Sequence, residues 1–454
     1  MRTFTTEEIA RATGGVASGP AEVTSVVIDN REARPGSLFI AIKGERLDGH
    51  SFIGSAVEAG ATAVLCHKDV DCKVPTVKVA DTTKAFLELG KSYRLEYDIP
   101  VVALTGSVGK TTTKEMIWCV LNAKFHAHKT YKNWNNEIGL PKVLLQLEPE
   151  HTVLVVELGM NHKGEIATLS KTALPDIGVI TNVGVSHIEN LGSREGILAA
   201  KLELLEGMKP GSPIILNKDN DLLSTVDLPD YRVRWFALHD TDADVHAEEI
   251  DYKDDSTTFT VVTKEGRWPV ELPTTGEHNV YDALAAIAVG LELDIAPEDA
   301  AKALKNYRPA GMRENVVEKG GVTVIEDCYN ASPDSMKAMA ETLTLKGAPG
   351  RRKIAVIGDM LELGDYSEEA HALAGRYMAE AGIDLLITYG PLSTFAAKSA
   401  REHGLLRVFD FQDKDDLIEK LTGMLKPGDV VAVKGSRGMQ MEEIIQKIYD
   451  KIDF

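Results

Sequence analysis

The sequence is poor in cysteine. Cys66, Cys72, Cys119 and Cys328 are the only four in 454 residues, and no two share a C-x-x-C or metal-finger spacing. That argues against a zinc finger or a redox pair and leaves reduced, cytosolic thiols as the expectation. No apolar run approaches the ~20 residues a membrane helix requires. The opening stretch MRTFTTEEIARATGG lacks the apolar core of a secretion signal. A cytoplasmic protein without membrane insertion is therefore expected. Positive charge is also scarce: Lys plus Arg is 50 against 69 for Asp plus Glu, a net charge of −19. A nucleic-acid wrapper needs a basic face and is disfavoured. A small anionic ligand needs only a local cluster of amides and cations, and is not. Internal repeats and low-complexity segments are absent.

What is present is apolar material in a regular order. Hydrophobic residues make up 44% of the chain, enough for several packed cores, and the length suggests two to four domains. Three blocks are visible. Residues 1–97 carry short strand-like runs (Val26–Ile28, Leu38–Ile42, Thr62–Leu65) punctuated by Arg34-Pro35-Gly36 and Asp48-Gly49. Residues 98–308 begin with Val101–Leu104 and continue with Val153–Val156, Ile177–Ile180 and Pro213–Leu216, separated by helical stretches. Buried runs alternating with helices predict a mostly parallel sheet. Polar and apolar residues alternate over Asp251–Val270, which predicts a hairpin insert, and Asn279–Leu291 is Ala-rich and helical. Tyr307-Arg308-Pro309 reads as a linker. Residues 309–454 alternate again, with strands expected at Val322–Ile325, Ile354–Ile357, Leu385–Thr388, Val408–Phe411 and Val430–Val433. The whole is an α/β chain of three domains, the central one a P-loop type and the last Rossmann-like.

The strongest local feature is Val101-Val102-Ala103-Leu104-Thr105-Gly106-Ser107-Val108-Gly109-Lys110-Thr111-Thr112, followed by the helical stretch Thr113–Leu121. Glycines let backbone N–H groups close around phosphate oxygens, and the following helix presents unpaired N–H groups. Lys110 can bridge β- and γ-phosphates, and the Thr111 hydroxyl can ligate Mg²⁺. ATP with Mg²⁺ is the expected cofactor pair. Glu157 ends the run Val153–Val156, at the strand edge where ligands of open α/β sheets bind. A carboxylate there can hold Mg²⁺ or merely start the next helix. His187 follows Gly184 beyond another strand. Asn133–Pro141 is an amide-rich turn that suits either phosphate recognition or plain turn chemistry. Lys201 lies within the predicted helix Glu195–Met208, where a lysine is ordinarily a surface residue with a buried stem.

Leu104 stands where the strict G-x-x-x-x-G-K-T loop has its first Gly, and the variant T-G-x-x-G-K-T-T resembles the loop of the Mur ligases and the related folylpolyglutamate synthases. The resemblance covers nearly the whole chain. It is carried further by Asn133–Pro141, by Ile325–Met336 (D-x-Y-N-A-x-P-x-S-M), by Gly358–Gly364 and by Val433–Arg437. Asp29–Phe39 and Ala41–His50 resemble the family's UDP-sugar-binding domain, with Asn30 where Ser or Thr is usual. The D-N-P-R of the branch that adds the third peptide residue is absent. The resemblance therefore implies an ATP-dependent ligase joining D-alanyl-D-alanine to UDP-N-acetylmuramoyl-tripeptide through an acyl phosphate; a monomer is expected. It implies ATP contacts at Thr105, Gly106, Ser107, Val108, Gly109, Lys110, Thr111, Thr112, Asn136, Asn279, Arg313 and Asp327. In the family, the lysine matching Lys201 is carbamylated and helps hold a second Mg²⁺. The implied metal set is thus Thr111, Glu157, His187 and Lys201, with Lys110, His187 and Lys201 catalytic. The UDP moiety is expected at Asn30, Arg31, Lys43, Gly44, Arg46 and Asp48. The dipeptide is expected at Tyr329, Asn330, Lys434, Ser436 and Arg437, with Lys434 or Arg437 holding its carboxylate.

Overall fold

The computed structural model describes residues 1–44, 46–347 and 350–452. Glu45, part of the N-terminal motif, lies outside the described residues. Each of the three blocks builds its own main sheet, and in the first block Phe4–Thr5 also pairs with Glu22–Val23. The first has four parallel strands (Ser25–Val27, Ser37–Ile40, Ala63–Cys66, Thr76–Lys78) with Val16–Ala17 antiparallel at one edge. The second has nine strands and the third six. The expected α/β fold with mostly parallel sheets is borne out.

In the nine-stranded sheet Val101–Thr105 is the third strand from one edge, flanked by Val153–Glu157 on one side and Ile177–Ile180 on the other, all parallel. The chain leaves Val101–Thr105 toward one edge, returns, and crosses to the other side. Its carboxyl end is therefore the switch point, where diverging connections leave a crevice. The strands flanking it are buried on both faces, which is why they read as continuous apolar runs. The helix Glu277–Glu292 is buried nearly all round, with Val280 and every residue from Ala283 to Gly290 inside, as expected for a helix between a sheet and a second layer.

One sequence expectation is borne out and another is corrected. The alternating segment does form a hairpin, Thr257–Thr263 against Gly266–Leu272, and together with Val245–Tyr252 it extends the central sheet. Their inward residues Phe259, Val261, Val270 and Leu272 join the same core as Glu277–Glu292, which pulls them onto that sheet. The helix expected over Glu195–Met208 runs only from Arg194 to Leu202, then tightens into a 3₁₀ turn, Glu203–Gly207. Tertiary bonds account for the change. The Glu203 carboxylate accepts from Gly164 N at 2.7 Å and Ala167 N at 3.2 Å, capping the helix Glu165–Ala173. Ser170 Oγ donates to Leu204 O at 2.5 Å.

At one edge of the central sheet, burial and neighbouring His151 push the His128 imidazole down to about 4, although its contact with the Val143 carbonyl opposes this. The unfolded chain then binds the proton more tightly between about 6.5 and 4. Stability from this site is complete above about pH 6.5 and is lost as pH falls toward 4, by up to about 1.4 kcal/mol per pH unit. Denaturant titrations from pH 7.5 to 4.5 check this: His128→Gln should flatten the acid limb relative to the parent protein.

Candidate active site

Gly109 closes the loop at φ 81°, and a Cβ there would lie 2.7 Å from Asp282 Oδ1, so only glycine suits the position. The helix starts at Lys110, earlier than the sequence suggested. The N–H groups of Lys110, Thr111 and Thr112 belong to its first turn, have no acceptor within the helix and sit at its positive end. Lys110 Nζ donates to Gly106 O at 2.8 Å. Burial lowers the Lys110 pKa, nearby Glu157 opposes that shift, and Arg313 adds to it. One expectation changes here. The N–H groups of Ser107 and Val108 do not stand open for phosphate; both donate to Asn182 Oδ1, at 3.1 and 3.0 Å.

Glu157 is 1% exposed at the carboxyl end of its strand. Thr111 Oγ1 donates to its Oε2 at 2.8 Å and Asn135 Nδ2 to its Oε1 at 2.8 Å. Burial pushes the Glu157 carboxyl up, but Lys114, Arg313, Lys110 and the Asn135 bond outweigh it and hold the group ionised below its usual range. Asn135, rather than Asn136, thus reaches the carboxylate, whereas Asn136 Oδ1 accepts from Ile138 N and Gly139 N at 3.2 and 2.9 Å. Lys114, buried 3.7 Å from Glu157, was missed by the sequence reading. Its signal was available: it lies four residues after Lys110, on the same helix face.

These groups open into one cavity of about 890 Å³ at the switch point. Its lining includes Ser107 to Thr112, Asn136, Glu157, His187, Arg313, Asp327, Tyr329, Asn330 and Lys434. The central and C-terminal sheets therefore share it. His187 sits at φ 64°, an uncommon backbone for a non-glycine residue, with Nδ1 2.6 Å from Glu362 Oε2 of the C-terminal part. Thr105 and Gly106 lie just beneath the lining.

Lys201 is behind the cavity. It is 2% exposed and has no hydrogen-bond or ion-pair partner among the described residues. Burial, reinforced by Lys110, pushes its pKa well below that of an ordinary lysine. Asn279 also lies behind the lining, where Nδ2 donates to Thr275 O at 2.8 Å and to Glu314 Oε2 at 3.1 Å. Its Oδ1 is buried without a partner. His278 Nε2 lies 2.5 Å from Glu314 Oε1. Burial alone would lower the His278 pKa, but Glu314 raises it to about 9. Burial pushes the neighbouring Asp282 carboxyl up to about 7. Nothing in the local sequence marked His278, Asp282 or Glu314 as a cluster.

On the C-terminal side, Lys434 Nζ lies 2.5 Å from Asp327 Oδ2, both groups buried, and Arg313 stacks 3.9 Å above the Tyr329 ring. The expectation that Lys434 to Arg437 line this pocket together needs correction. Ser436 Oγ accepts from Leu361 N at 2.9 Å, and Arg437 turns outward to Glu442 at 2.5 Å. Both lie off the cavity because the 3₁₀ turn Arg437–Met439 carries the chain away from the sheet edge.

The N-terminal set also lies off this cavity. Asn30 Nδ2 donates to Ser55 Oγ at 3.1 Å, Arg31 is exposed and paired with Asp29, and Asp48 is held by His50 Nδ1 at 2.7 Å. Lys43, Gly44 and Arg46 are exposed. Among the described residues no three His, Cys, Asp or Glu side chains converge on a metal-sized site. An ion here would depend on Glu157, hydroxyls, ligand oxygens or a modified lysine.

Profiles of three domains match the chain: Mur ligase family, catalytic domain, over residues 22–96; Mur ligase middle domain over 104–290; and Mur ligase, glutamate ligase domain, over 312–437. The chain is 40% identical to a Bacillus subtilis protein named UDP-N-acetylmuramoyl-tripeptide--D-alanyl-D-alanine ligase, covering 98% of both. It is 37% identical to the Escherichia coli protein of that name, covering 94% of both. A crystal structure of MurF from Acinetobacter baumannii superposes with a TM-score of 0.92 at 33% identity, over 99% of this chain and 100% of that one. MurF ligase from Thermotoga maritima in complex with ADP superposes with a TM-score of 0.85 at 28% identity, over 95% of this chain and 98% of that one.

Proposed function

The chain belongs to the Mur ligase family, and from that premise we infer that it uses ATP to join D-alanyl-D-alanine to UDP-N-acetylmuramoyl-tripeptide in cell-wall precursor synthesis. The observation that carries this reading is the shared cavity, where a phosphate loop with Lys110 and Glu157 faces the acceptor-type residues Asp327, Tyr329, Asn330 and Lys434. A terminal carboxylate oxygen of the tripeptide attacks the γ-phosphorus of ATP, forming an acyl phosphate and releasing ADP. The dipeptide amine then attacks the acyl carbon, loses a proton, and expels phosphate. Phosphoryl transfer of this kind needs in-line positioning and charge neutralisation rather than a covalent protein intermediate. Lys110 and the first-turn amides of its helix meet the phosphates, and Arg313 adds positive charge beside them. The acyl phosphate is hydrolysable, so closure of the domains around the cavity is expected to shield it from water during turnover.

Mg²⁺ fits the donor set. Glu157 is an ionised, buried carboxylate with the Thr111 hydroxyl against it, an oxygen pair suited to a hard cation. Such an ion would neutralise phosphate charge. We assign Thr111 and Glu157 to it, with His187 and a carbamylated Lys201 completing a second position. Support for the modification is the burial of Lys201 without a partner, because a neutral amine is the form that reacts with CO₂. Asn279 is assigned to the adenine, supported by its unpartnered Oδ1. The exposed Arg31, Lys43 and Arg46, with Asn30, Gly44 and Asp48, are assigned to the UDP moiety.

No described helix is long and apolar enough to cross a membrane. We place the protein in the cytoplasm as a monomer, with domain boundaries at 97/98 and 308/309.

The acceptor end of this reading predicts a specificity. Lys434 is committed to Asp327, so the pair presents the dipeptide with both charges, while Asn330 meets the internal amide. A single amino acid leaves part of this polar surface unmatched, at about 1–3 kcal/mol per buried group. Competition at saturating ATP and UDP-tripeptide should favour D-alanyl-D-alanine over D-alanine, L-lysine or diaminopimelate by about a hundredfold or more in kcat/KM. A higher kcat/KM for any single amino acid would replace this reading with that of a sister ligase.

A further inference from the structure

The phosphate loop is not self-supporting. Its shape is held from outside by the segment that follows the strand Ile177–Ile180. Asn182 is the centre of that grip. Its Oδ1 accepts from Ser107 N and Val108 N, its Nδ2 donates to Val108 O at 3.1 Å, and its own carbonyl accepts from Ser107 N at 3.2 Å. Thr181 Oγ1 donates to Val108 O at 2.9 Å, and Ser107 Oγ accepts from Gly184 N at 2.9 Å. The approach is close enough to require Gly106, where a Cβ would fall 1.9 Å from Thr181 Oγ1. Every polar atom of the Asn182 carboxamide is thus turned to the loop.

We propose that Asn182 is a positioning residue for the nucleotide: its carboxamide takes up the amides of Ser107 and Val108, fixes the loop before ATP arrives, and leaves phosphate recognition to Lys110, Gly109 and the first turn of the helix. This rests on the reading that ATP binds at this loop. The chemistry is specific to an amide. One side chain accepts from two N–H groups through one atom and donates to a carbonyl through another; a carboxylate cannot donate, and a hydroxyl would have to make all three bonds from a single atom. With Asn182→Ala the loop becomes one conformer among several, and ATP must select it at the expense of affinity. The chemical step, once ATP is bound, still uses Lys110 and the helix amides.

The test is steady-state kinetics of the full-length protein with ATP varied, together with hydrogen exchange at Ser107 and Val108 in the nucleotide-free protein. Asn182→Ala is expected to raise KM for ATP by roughly tenfold to a hundredfold, with kcat within about threefold. The two amides should lose protection while the core strands keep theirs. Asn182→Asp, which sets a carboxylate oxygen against Val108 O and a negative charge beside the triphosphate, should raise KM for ATP at least as much as alanine does. Unchanged KM with retained protection would overturn the proposal. So would tighter ATP binding, which would make Asn182 a competitor that ATP displaces. A Lys110→Ala control separates the two levels. If it also leaves ATP use untouched, the reading of the loop fails; if it alone abolishes activity, only the assignment of Asn182 fails.

Discussion

Lys110→Ala is expected to lower kcat by roughly a thousandfold or more while the protein stays folded. Among the described residues the Lys110 ammonium donates only to backbone carbonyls of its own loop, Gly106 O at 2.8 Å and Ser107 O at 3.5 Å. Its removal leaves no buried carboxylate without an ion-pair partner, since Glu157 keeps Lys114, Thr111 and Asn135. Burial and Arg313 oppose its charge more than Glu157 supports it, so the melting temperature should be little changed or slightly higher. What is lost is a mobile positive charge beside the phosphoryl group in transit, where charge develops away from water. ADP release and product mass, measured with circular dichroism on the same samples, check both halves. Near-normal turnover in a folded variant would exclude Lys110 from the chemistry.

Lys201→Ala is expected to be nearly as damaging, by on the order of a hundredfold or more, and partly rescued by short carboxylates. An ordinary lysine at 2% exposure without a partner carries a desolvation penalty that nothing in its surroundings offsets. Carbamylation, in which the neutral amine attacks CO₂ and the nitrogen sheds a proton, turns that penalty into a carboxylate facing a cationic region. Acetate or formate diffusing into the space left by alanine supplies the same charge. Intact-protein mass under CO₂-equilibrated, non-acidic conditions provides a readout independent of turnover. An active enzyme with an unmodified Lys201 amine, or a Lys201→Ala variant indifferent to both CO₂ and carboxylates, would remove the modification from the mechanism.

The backbone scaffold was largely legible in the sequence. The runs Val101–Leu104, Val153–Val156 and Ile177–Ile180 were located within a residue of their observed ends, because strands buried on both faces are continuously apolar. The phosphate loop was legible for the same local reason: strand, glycines and helix start are adjacent in the chain. Local pattern misled where tertiary bonds intervened. Glu203 looked like one more residue of a long helix, yet it caps a neighbouring one and tightens its own backbone. Arg437 was linked by adjacency to Lys434, but a single 3₁₀ turn separates their surroundings.

What the sequence determined by itself is the α/β class, the order of strands and helices, the loop with Lys110 and Thr111, and the placing of Glu157 at a strand end and of His187 beyond another. These follow from apolar period and turn chemistry, which act over a few residues. Only the tertiary structure decided which side chain meets which. Thr111 finds Glu157 across 46 residues, Val108 finds Asn182 across 74, and Thr113 finds Asp282 across 169. No periodicity encodes such pairs. The first two exist because the strand crossing at the switch point brings distant strand ends to one edge of the sheet, and the third because the helices Lys110–Leu121 and Glu277–Glu292 pack together; in each, groups taken out of water must find partners.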